Sequence, residues 1–270
     1  MFIEDAVSAA AASLRERMES TPTATLERAL AARPKPPDFN AAVSRGVGRV
    51  KIIAEVKRMS PSAGSIREDT PVAELVRAYC DAGAAAVSVL TSEYKFGGRI
   101  ADLLEAGRES DIPLLRKDFI VDPYQVLESR VCGASAVLLV AAALTVARIR
   151  ALEGYARELG MAALVEAHDR ADLEKVLDAE SLLVGINNRD LATLEVDVRT
   201  TERLLPHIPE GHTVVSESGI RTRDQVIRME ELGIDALLVG EVLMRADEPG
   251  AMLKQLLGEM DESCGSRSAG

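Results

Sequence analysis

The stretch VKIIAEVK at residues 50–57 is the one that decides the fold of this chain. It is an apolar run of strand length that ends in two charged residues, Glu55 and Lys57. Residues two apart on a strand point to the same side, so these two side chains face together. A buried lysine without a partner is costly, so we expect Lys57 to meet Glu55, a phosphate or a carboxylate. An exposed edge strand would also tolerate these charges, but the apolar neighbours favour a buried strand.

Further apolar runs follow the first, and their carboxyl ends recur about every 20 to 35 residues, the length of one strand–helix unit. They are continuous Val, Ile, Leu and Ala runs, which is typical of parallel strands covered on both faces. The predicted strands are residues 52–56, 85–90, 113–115, 136–140, 162–165, 182–186, 213–216 and 236–239. Eight such units predict an α/β fold, a closed (β/α)8 TIM barrel. An open doubly wound sheet is the alternative, but no GxGxxG follows the first strand.

Helix signals lie between these runs. The sequences DPYQ (122–125) and TRDQ (222–225) resemble capping boxes, which begin helices. Gly83, Gly133, Gly160 and Gly233 each follow a helical stretch, and glycine can take the left-handed conformation that ends a helix.

Residues 1–49 do not join the alternation of strands and helices. DAVSAAAASLRERME predicts an amphipathic helix, and TLERALAARPKPPDF predicts a helix that stops at prolines, because proline lacks the backbone N–H. We therefore expect three parts. They are an N-terminal helical extension (1–49) that acts as a lid or plug over the barrel, the barrel itself (50–257) and a flexible C-terminal tail (258–270).

The composition argues against several classes of protein. A net charge of −11 disfavours binding to nucleic acid or to an anionic membrane surface. The three cysteines have no CxxC spacing, so we expect neither a disulfide framework nor a zinc site. No apolar run reaches the roughly 18 residues of a membrane span, and acidic residues begin at Glu4. We expect a cytoplasmic protein without metal, nucleotide or other cofactor, since the usual motifs for these are absent.

Charged residues also close the predicted third strand, in LLRKDF (114–119). Because the carboxyl ends of barrel strands face the active site, a charged residue there points at substrate. We favour Lys117 as the inward residue. Periodicity alone leaves Arg116 and Asp118 possible, and we expect the outward charges to pair at the surface.

The fifth predicted strand ends in LVEAHD (164–169). Glu166 closes this strand, and a glutamate in an apolar setting has a raised pKa and can act as a general acid or base. His168 is either a second acid/base group or a capping or surface residue, and we favour the latter.

Three loops complete the candidate site. In VGINNRDL, one of Asn187 and Asn188 is expected to bind ligand and the other to shape the loop. Gly219 and Gly240 follow the seventh and eighth strands, where barrels often bind phosphate through backbone N–H groups. Phe96, beside a Gly-Gly pair, either covers an aromatic substrate or lies in a surface turn.

Together, IIAEVKRMSPSAG, LRKDFIVDPYQ, LVEAHD, GINNRDL, SESGI and VGEVLM resemble the indole-3-glycerol phosphate synthase family, in the family's order over residues 50–245. The N-terminal segment is similar to the family's extra helix over the barrel mouth. The resemblance implies a carboxy-lyase of tryptophan biosynthesis that needs no cofactor. Its substrate would be the phosphorylated small molecule 1-(2-carboxyphenylamino)-1-deoxyribulose 5-phosphate, which loses carbon dioxide and water as the indole ring closes. We expect a monomer or at most a weak homodimer.

The resemblance also implies roles for residues of this sequence. Lys117 would be the general acid that protonates the ribulose C2 oxygen, and a pKa depressed by another cation would suit it. Glu166 would be the acid/base for dehydration. Lys57 would bind the substrate carboxylate or phosphate and take part in proton transfer, with Glu55 orienting it. Asn187 and Ser218 would complete a polar catalytic wall. The implied substrate-binding residues are Ser60, Phe96, Phe119, Leu138, Arg189, Leu191, Glu217, Gly219, Gly240 and Glu241.

Glu241 is a departure, because many members of the family have a small hydroxyl residue after this glycine. We expect its side chain to turn away from a phosphate while its backbone N–H still donates. Two rival functions remain: a phosphoribosyl isomerase of the same barrel class, and a non-catalytic phosphate-binding protein. The isomerase would not need Glu55 and Lys57 together with Lys117, and the binding protein has no reason to place acid/base residues on three separate strand ends.

Overall fold

The computed structural model describes residues 2–60, 64–67 and 70–259. Within them, eight parallel strands close a barrel in which each strand pairs with the next along the chain and the last pairs with the first. The strands are β1 (Lys51–Val56), β2 (Ala86–Leu90), β3 (Leu114–Lys117), β4 (Ala136–Val140), β5 (Ala162–Ala167), β6 (Leu183–Asn187), β7 (Thr213–Glu217) and β8 (Ala236–Val239). The predicted (β/α)8 barrel is confirmed.

Four strands run one or two residues further than predicted: β3, β5, β6 and β7. Lys117 pairs in register with Leu90, and Asn187 pairs with Glu217. These polar side chains therefore lie within the hydrogen-bonded ladder, because the ladder depends on backbone groups and is indifferent to the side chain. Their direction is set by the rigid barrel rather than by a loop.

Helices cover the outside of the barrel. Those before β1 are α1 (Phe2–Ser20), α2 (Thr23–Leu30) and α3 (Phe39–Val43). Those after it are α4 (Val72–Asp81), α5 (Ile100–Glu109), α6 (Pro123–Val131), α7 (Val146–Glu158), α8 (Arg170–Asp178), α9 (Arg199–Leu204), α10 (Arg223–Glu231), α11 (Glu241–Arg245) and α12 (Pro249–Leu257). The capping boxes of α6 and α10 are confirmed, with Asp122 and Thr222 as the caps. None of the helices in the described ranges is long and apolar enough to cross a membrane.

The N-terminal segment reaches both ends of the barrel. At the carboxyl ends of the strands, Phe2 of α1 packs against the rings of Tyr94 and Phe96, with centroids 6.3 Å and 6.2 Å apart. At the amino ends, Phe39 and Val43 of α3 are buried in the apolar cluster of the barrel interior. The extension therefore provides a lid from α1 and a plug from α3. Of the predicted tail, residues 260–270 lie outside the described part.

Alternate residues of each barrel strand point into the barrel. On four of the strands these inward residues are apolar near the amino end and charged near the carboxyl end. The buried interior cluster contains Ile53, Leu115, Leu164 and Val215, one each from β1, β3, β5 and β7. Two residues further along the same strands come Glu55, Lys117, Glu166 and Glu217. The same side-chain direction thus supplies apolar packing at the amino end and charge at the carboxyl end.

Candidate active site

A cavity opens at the carboxyl ends of the strands, beneath the start of α1. It brings together residues predicted from all parts of the sequence. The predicted site residues that line it are Glu55, Lys57, Phe96, Lys117, Phe119, Leu138, Glu166, Asn187, Arg189, Leu191, Ser218, Gly219, Gly240 and Glu241. Glu217 is fully buried and reaches the cavity through its contact with Lys117. The side chain of Ser60 lies outside the described part, so its role stays a prediction.

Lys117 lies between two carboxylates. Its Nζ donates to Oε2 of Glu166 at 3.0 Å and to Oε2 of Glu217 at 2.9 Å. Burial by itself would lower the pKa of Lys117, but the charges of Glu166, Glu217 and Glu55 raise it above its ordinary value. The expected depressed pKa was therefore wrong, because the nearest groups are anions rather than a second cation. Lys117 is a full cation at neutral pH.

The two glutamates at Lys117 differ in their partners and in their charge. Burial favours the neutral form of both, yet Lys117 and His168 hold the pKa of Glu166 below its ordinary value. Burial and the charge of Glu166 outweigh Lys117 at the other glutamate and raise the pKa of Glu217 to about 8. The raised pKa expected at Glu166 was wrong and is found at Glu217. The two shifts have opposite directions, so a proton on the pair is favoured on Glu217, which contacts one cation, over Glu166, which contacts two.

His168 lies behind Glu166. Its Nε2 is 3.0 Å from Oε1 of Glu166, and its Nδ1 is 3.3 Å from Oδ2 of Asp172 in α8. Burial lowers the pKa of His168, but the two carboxylates raise it overall, to about 9. The interpretation of His168 as a capping or surface residue was wrong. Asp169 caps α8 instead, and only 9% of the His168 side chain is exposed.

Lys57 and Glu55 form a second ion pair at the cavity, with Nζ 2.6 Å from Oε2. Both side chains are mostly buried. Two glycines make room for the buried carboxylates: a Cβ at Gly240 would overlap Glu55, and a Cβ at Gly185 would overlap Glu217. The apolar side of the cavity is formed by side chains from several loops and strands, Phe2, Phe96, Phe119, Leu138 and Leu191.

Arg116 points away from the cavity but is not at the surface, so the expected surface pairing was wrong. It is 1% exposed and donates to Glu128 of α6 at 2.8 Å and to Asp118 at 3.0 Å. Glu128 also accepts from Arg17 of α1 at 2.9 Å. A buried charge needs such partners to offset its desolvation. The outward residue of β3 therefore ties the strand to α6 and to the lid helix.

The two asparagines after β6 have different surroundings. Asn187 lies at the cavity, and its side-chain oxygen accepts from the backbone N–H of Arg189 at 3.0 Å. Asn188 is buried and donates to the carbonyl of Ser218 at 3.0 Å. Ser218 has a φ of 67°, which is uncommon outside glycine. Asn188 thus supports the turn that brings Ser218 and Gly219 to the cavity wall.

The loops after β7 and β8 form the cavity side where phosphate binding was predicted. Gly240 precedes α11, and the carboxylate of Glu241 lies 3.3 Å from Nε of Arg245 and 3.9 Å from Nη2 of Arg221. Arg221 lines the cavity and was not predicted. Its loop carries many polar residues, so no pattern in the sequence distinguishes it.

Comparison with known proteins identifies the family. The family model described as indole-3-glycerol phosphate synthase matches residues 3–256. An indole-3-glycerol phosphate synthase of Dehalococcoides mccartyi (strain CBDB1) is 45% identical over 260 residues, which cover 95% of this chain and 100% of that protein. One from Laribacter hongkongensis is 50% identical over 223 residues, covering 81% of this chain and 84% of the relative.

Solved structures with much lower identity share the fold. 3-Hexulose-6-phosphate synthase from Salmonella typhimurium has a TM-score of 0.61 and 14% identity, covering 78% of this chain and 100% of that one. A mutant tryptophan synthase α-subunit from Pyrococcus furiosus has a TM-score of 0.58 and 17% identity, covering 77% and 98%. These two likenesses concern the architecture alone.

Proposed function

This chain belongs to the indole-3-glycerol phosphate synthase family, and we propose that its cavity closes the indole ring of 1-(2-carboxyphenylamino)-1-deoxyribulose 5-phosphate. The reaction releases carbon dioxide and water and yields indole-3-glycerol phosphate, so the protein is a carboxy-lyase of tryptophan biosynthesis. The observation that carries the proposal is the position of Lys117, between Glu166 and Glu217 in a cavity with one apolar and one polar side.

In the first step, the ring carbon that bears the carboxylate forms a bond to the C2 carbonyl carbon of the substrate. The carbonyl electron pair moves to oxygen, and Lys117 Nζ donates a proton there. A lysine whose pKa is raised is protonated at neutral pH, so the proton is present, and the carboxylates that raise the pKa also make the ammonium a weaker acid. The bond to the carboxyl carbon then breaks, carbon dioxide leaves, and the bonding electrons restore the aromatic ring.

The second stage is dehydration. The C2 hydroxyl leaves as water with a proton from an acid, and a base removes a proton from C1 to form the ring double bond. Glu166 is an ionised carboxylate and suits the base. Glu217 holds a proton at neutral pH and contacts the same lysine, so it can return a proton to Lys117.

Substrate recognition follows from the two sides of the cavity. We assign the anthranilate ring to the apolar side, where Phe96, Phe119, Leu138 and Leu191 lie. Lys57 binds the substrate carboxylate, oriented by Glu55. Backbone N–H groups near Gly219 and Gly240 bind the phosphate, since glycine permits a close backbone approach. The remaining proposed contacts come from Ser60, Asn187, Arg189, Ser218 and Glu241.

A fluorescence assay tests the proposal. The purified protein is mixed with the carboxyphenylamino substrate, and indole emission is followed with time. The chain contains no tryptophan, so protein emission interferes little. We expect indole emission to rise with enzyme concentration. Unchanged emission would refute ring closure, and turnover of a phosphoribosyl isomerase substrate instead would favour that rival.

A monomeric state, or at most a weak homodimer, and a cytoplasmic location stay predictions.

A further inference from the structure

We propose that His168 is a positioning residue for Glu166, held in turn by Asp172, and that it decides which of the two glutamates at Lys117 is ionised. The inference rests on the proposed ring closure, because it concerns the state of the proposed base. His168 does not line the cavity, so it acts through Glu166 rather than on the substrate.

The two oxygens of the Glu166 carboxylate face different cations. Oε2 accepts from Lys117 at 3.0 Å on the cavity side, and Oε1 lies 3.0 Å from Nε2 of His168 on the other side. Glu166 itself is 3% exposed. A buried carboxylate with a cationic partner at each oxygen is restricted in orientation, and Oε2 is the oxygen on the side of Lys117.

Asp172 fixes the far side of the imidazole. It lies in the first turn of α8, where its backbone N–H donates to the capping carboxylate of Asp169 at 2.8 Å. Its Oδ1 accepts from Lys175 at 3.2 Å, and the Lys175 ammonium also donates to the carbonyl of Ala141 at 3.0 Å. The partner of His168 thus lies in the first turn of a helix and is held by Asp169 and by Lys175, which is itself anchored to Ala141.

The contacts of His168 favour a doubly protonated ring. Each nitrogen lies within 3.3 Å of a carboxylate oxygen, and a neutral imidazole carries a proton on only one nitrogen. Two carboxylates contact the ring, Glu166 on β5 and Asp172 on α8, and Lys117 and Lys175 bind the other oxygens of these two groups. Asp190 on the loop after β6 is more distant, and its pKa is lowered mainly by the backbone N–H groups of Thr193 and Ala192 and least by the imidazolium. The groups in direct contact with the ring are acidic, so they favour the cation.

The cation makes the glutamate pair unequal. Among the cations of the described residues, Glu166 contacts Lys117 and His168, whereas Glu217 contacts Lys117. Without the imidazolium, each glutamate would contact the same lysine at nearly the same distance. The single proton of the pair would then be shared more evenly, and Glu166 would be a carboxylate for a smaller fraction of the time.

The first test compares His168→Gln with Asp172→Asn and with the control His207→Gln, since His207 is exposed. The fluorescence assay gives kcat and KM from acidic to alkaline pH. We expect His168→Gln to lower kcat about 10-fold with KM little changed, and to move the acidic limb of kcat toward neutral pH. Asp172→Asn should give a smaller change in the same direction, and His207→Gln none. An unmoved acidic limb with unchanged kcat, or a change confined to KM, would overturn the proposal.

The second test needs no turnover. The chain has three histidines, so imidazole NMR signals can be followed one by one, and His168→Gln identifies the signal of residue 168. We expect that signal to titrate with a pKa of about 9 and to titrate lower in Glu166→Gln. If the His168 signal titrates near the ordinary histidine pKa of about 6.5, the proposal is wrong even where the variants fold poorly. A wild-type protein that forms no indole but shows the high-pKa histidine would refute ring closure and leave the imidazolium contact standing.

Discussion

The two ends of the barrel use the same strands for opposite purposes. At the amino ends, inward residues such as Ile53 and Leu115 pack with Phe39 and Val43 of α3 into a closed apolar core. At the carboxyl ends, the inward residues two positions later carry charge and line an open cavity. Inward residues of the same strands therefore stabilise the fold at one end of the barrel and provide chemical groups at the other. A barrel separates the two because its strands are parallel.

The largest effect on turnover is expected from removing a charged side chain at the carboxyl ends of the strands. We expect Lys117→Ala or Glu166→Gln to lose at least about 10²-fold in kcat, because each removes a proposed proton-transfer group. Turnover is measured by indole fluorescence, and circular dichroism checks that the variant folds normally. Near-wild-type turnover in either variant would remove that residue from the proposed catalytic set.

A substitution at the amino end should affect stability rather than turnover. Phe39→Ala should lower the free energy of unfolding by about 3–5 kcal/mol, because it leaves a cavity in a fully buried cluster. The turnover of the folded fraction should stay near that of wild type, since α3 is remote from the cavity. Urea unfolding measures the loss, with Phe39→Leu as the control that keeps most of the volume. A variant with unchanged stability but lost turnover would contradict the division of roles.

A pH experiment tests Glu217, the buried ionisable residue that follows the apolar interior residue Val215 on β7. Its folded pKa of about 8 lies above the ordinary glutamate value, so the folded protein binds an extra proton between the two pKa values. The contribution of Glu217 to stability is therefore fully present at low pH and is lost as pH rises through about 8. Glu217→Gln removes this loss, because glutamine cannot ionise.

The variant should therefore gain stability relative to wild type as pH rises, by at most about 1.4 kcal/mol per pH unit. Thermal unfolding at a series of pH values measures the difference between the two proteins. A difference that stays constant with pH would show that Glu217 titrates alike in the folded and unfolded states.

The smallest expected effect lies at the cavity edge. Glu241→Ser removes a carboxylate beside the proposed phosphate loops and frees Arg221 and Arg245, which it contacts. We expect KM to fall about two- to fivefold with kcat unchanged, because partly exposed charges contribute up to about 1 kcal/mol. Glu248→Ser, at another exposed acidic position, controls for net charge. An increase in KM would instead mean that Glu241 holds the arginines for the phosphate.

The inward direction of Lys117 was predictable in principle from two-residue periodicity. Leu115 is an interior residue, so Lys117 shares its side, and Arg116 must face the helices. What periodicity could not show is that Arg116 is buried there. That outcome depends on Glu128 of α6 and on Arg17 of α1, which lie 12 and 111 residues away from the groups they contact.

The barrel, the first two helices of the extension and the charged residues at the strand ends could be predicted from the sequence, because they follow from local periodicity and from the backbone rules of parallel strands. The charge states follow from the folded structure instead. The pKa of Lys117 is raised, the pKa of Glu217 is raised, and His168 is buried beside Glu166. A pKa depends on burial and on which charges lie within a few ångströms, and those distances exist only once strands far apart in the chain have closed into a ring.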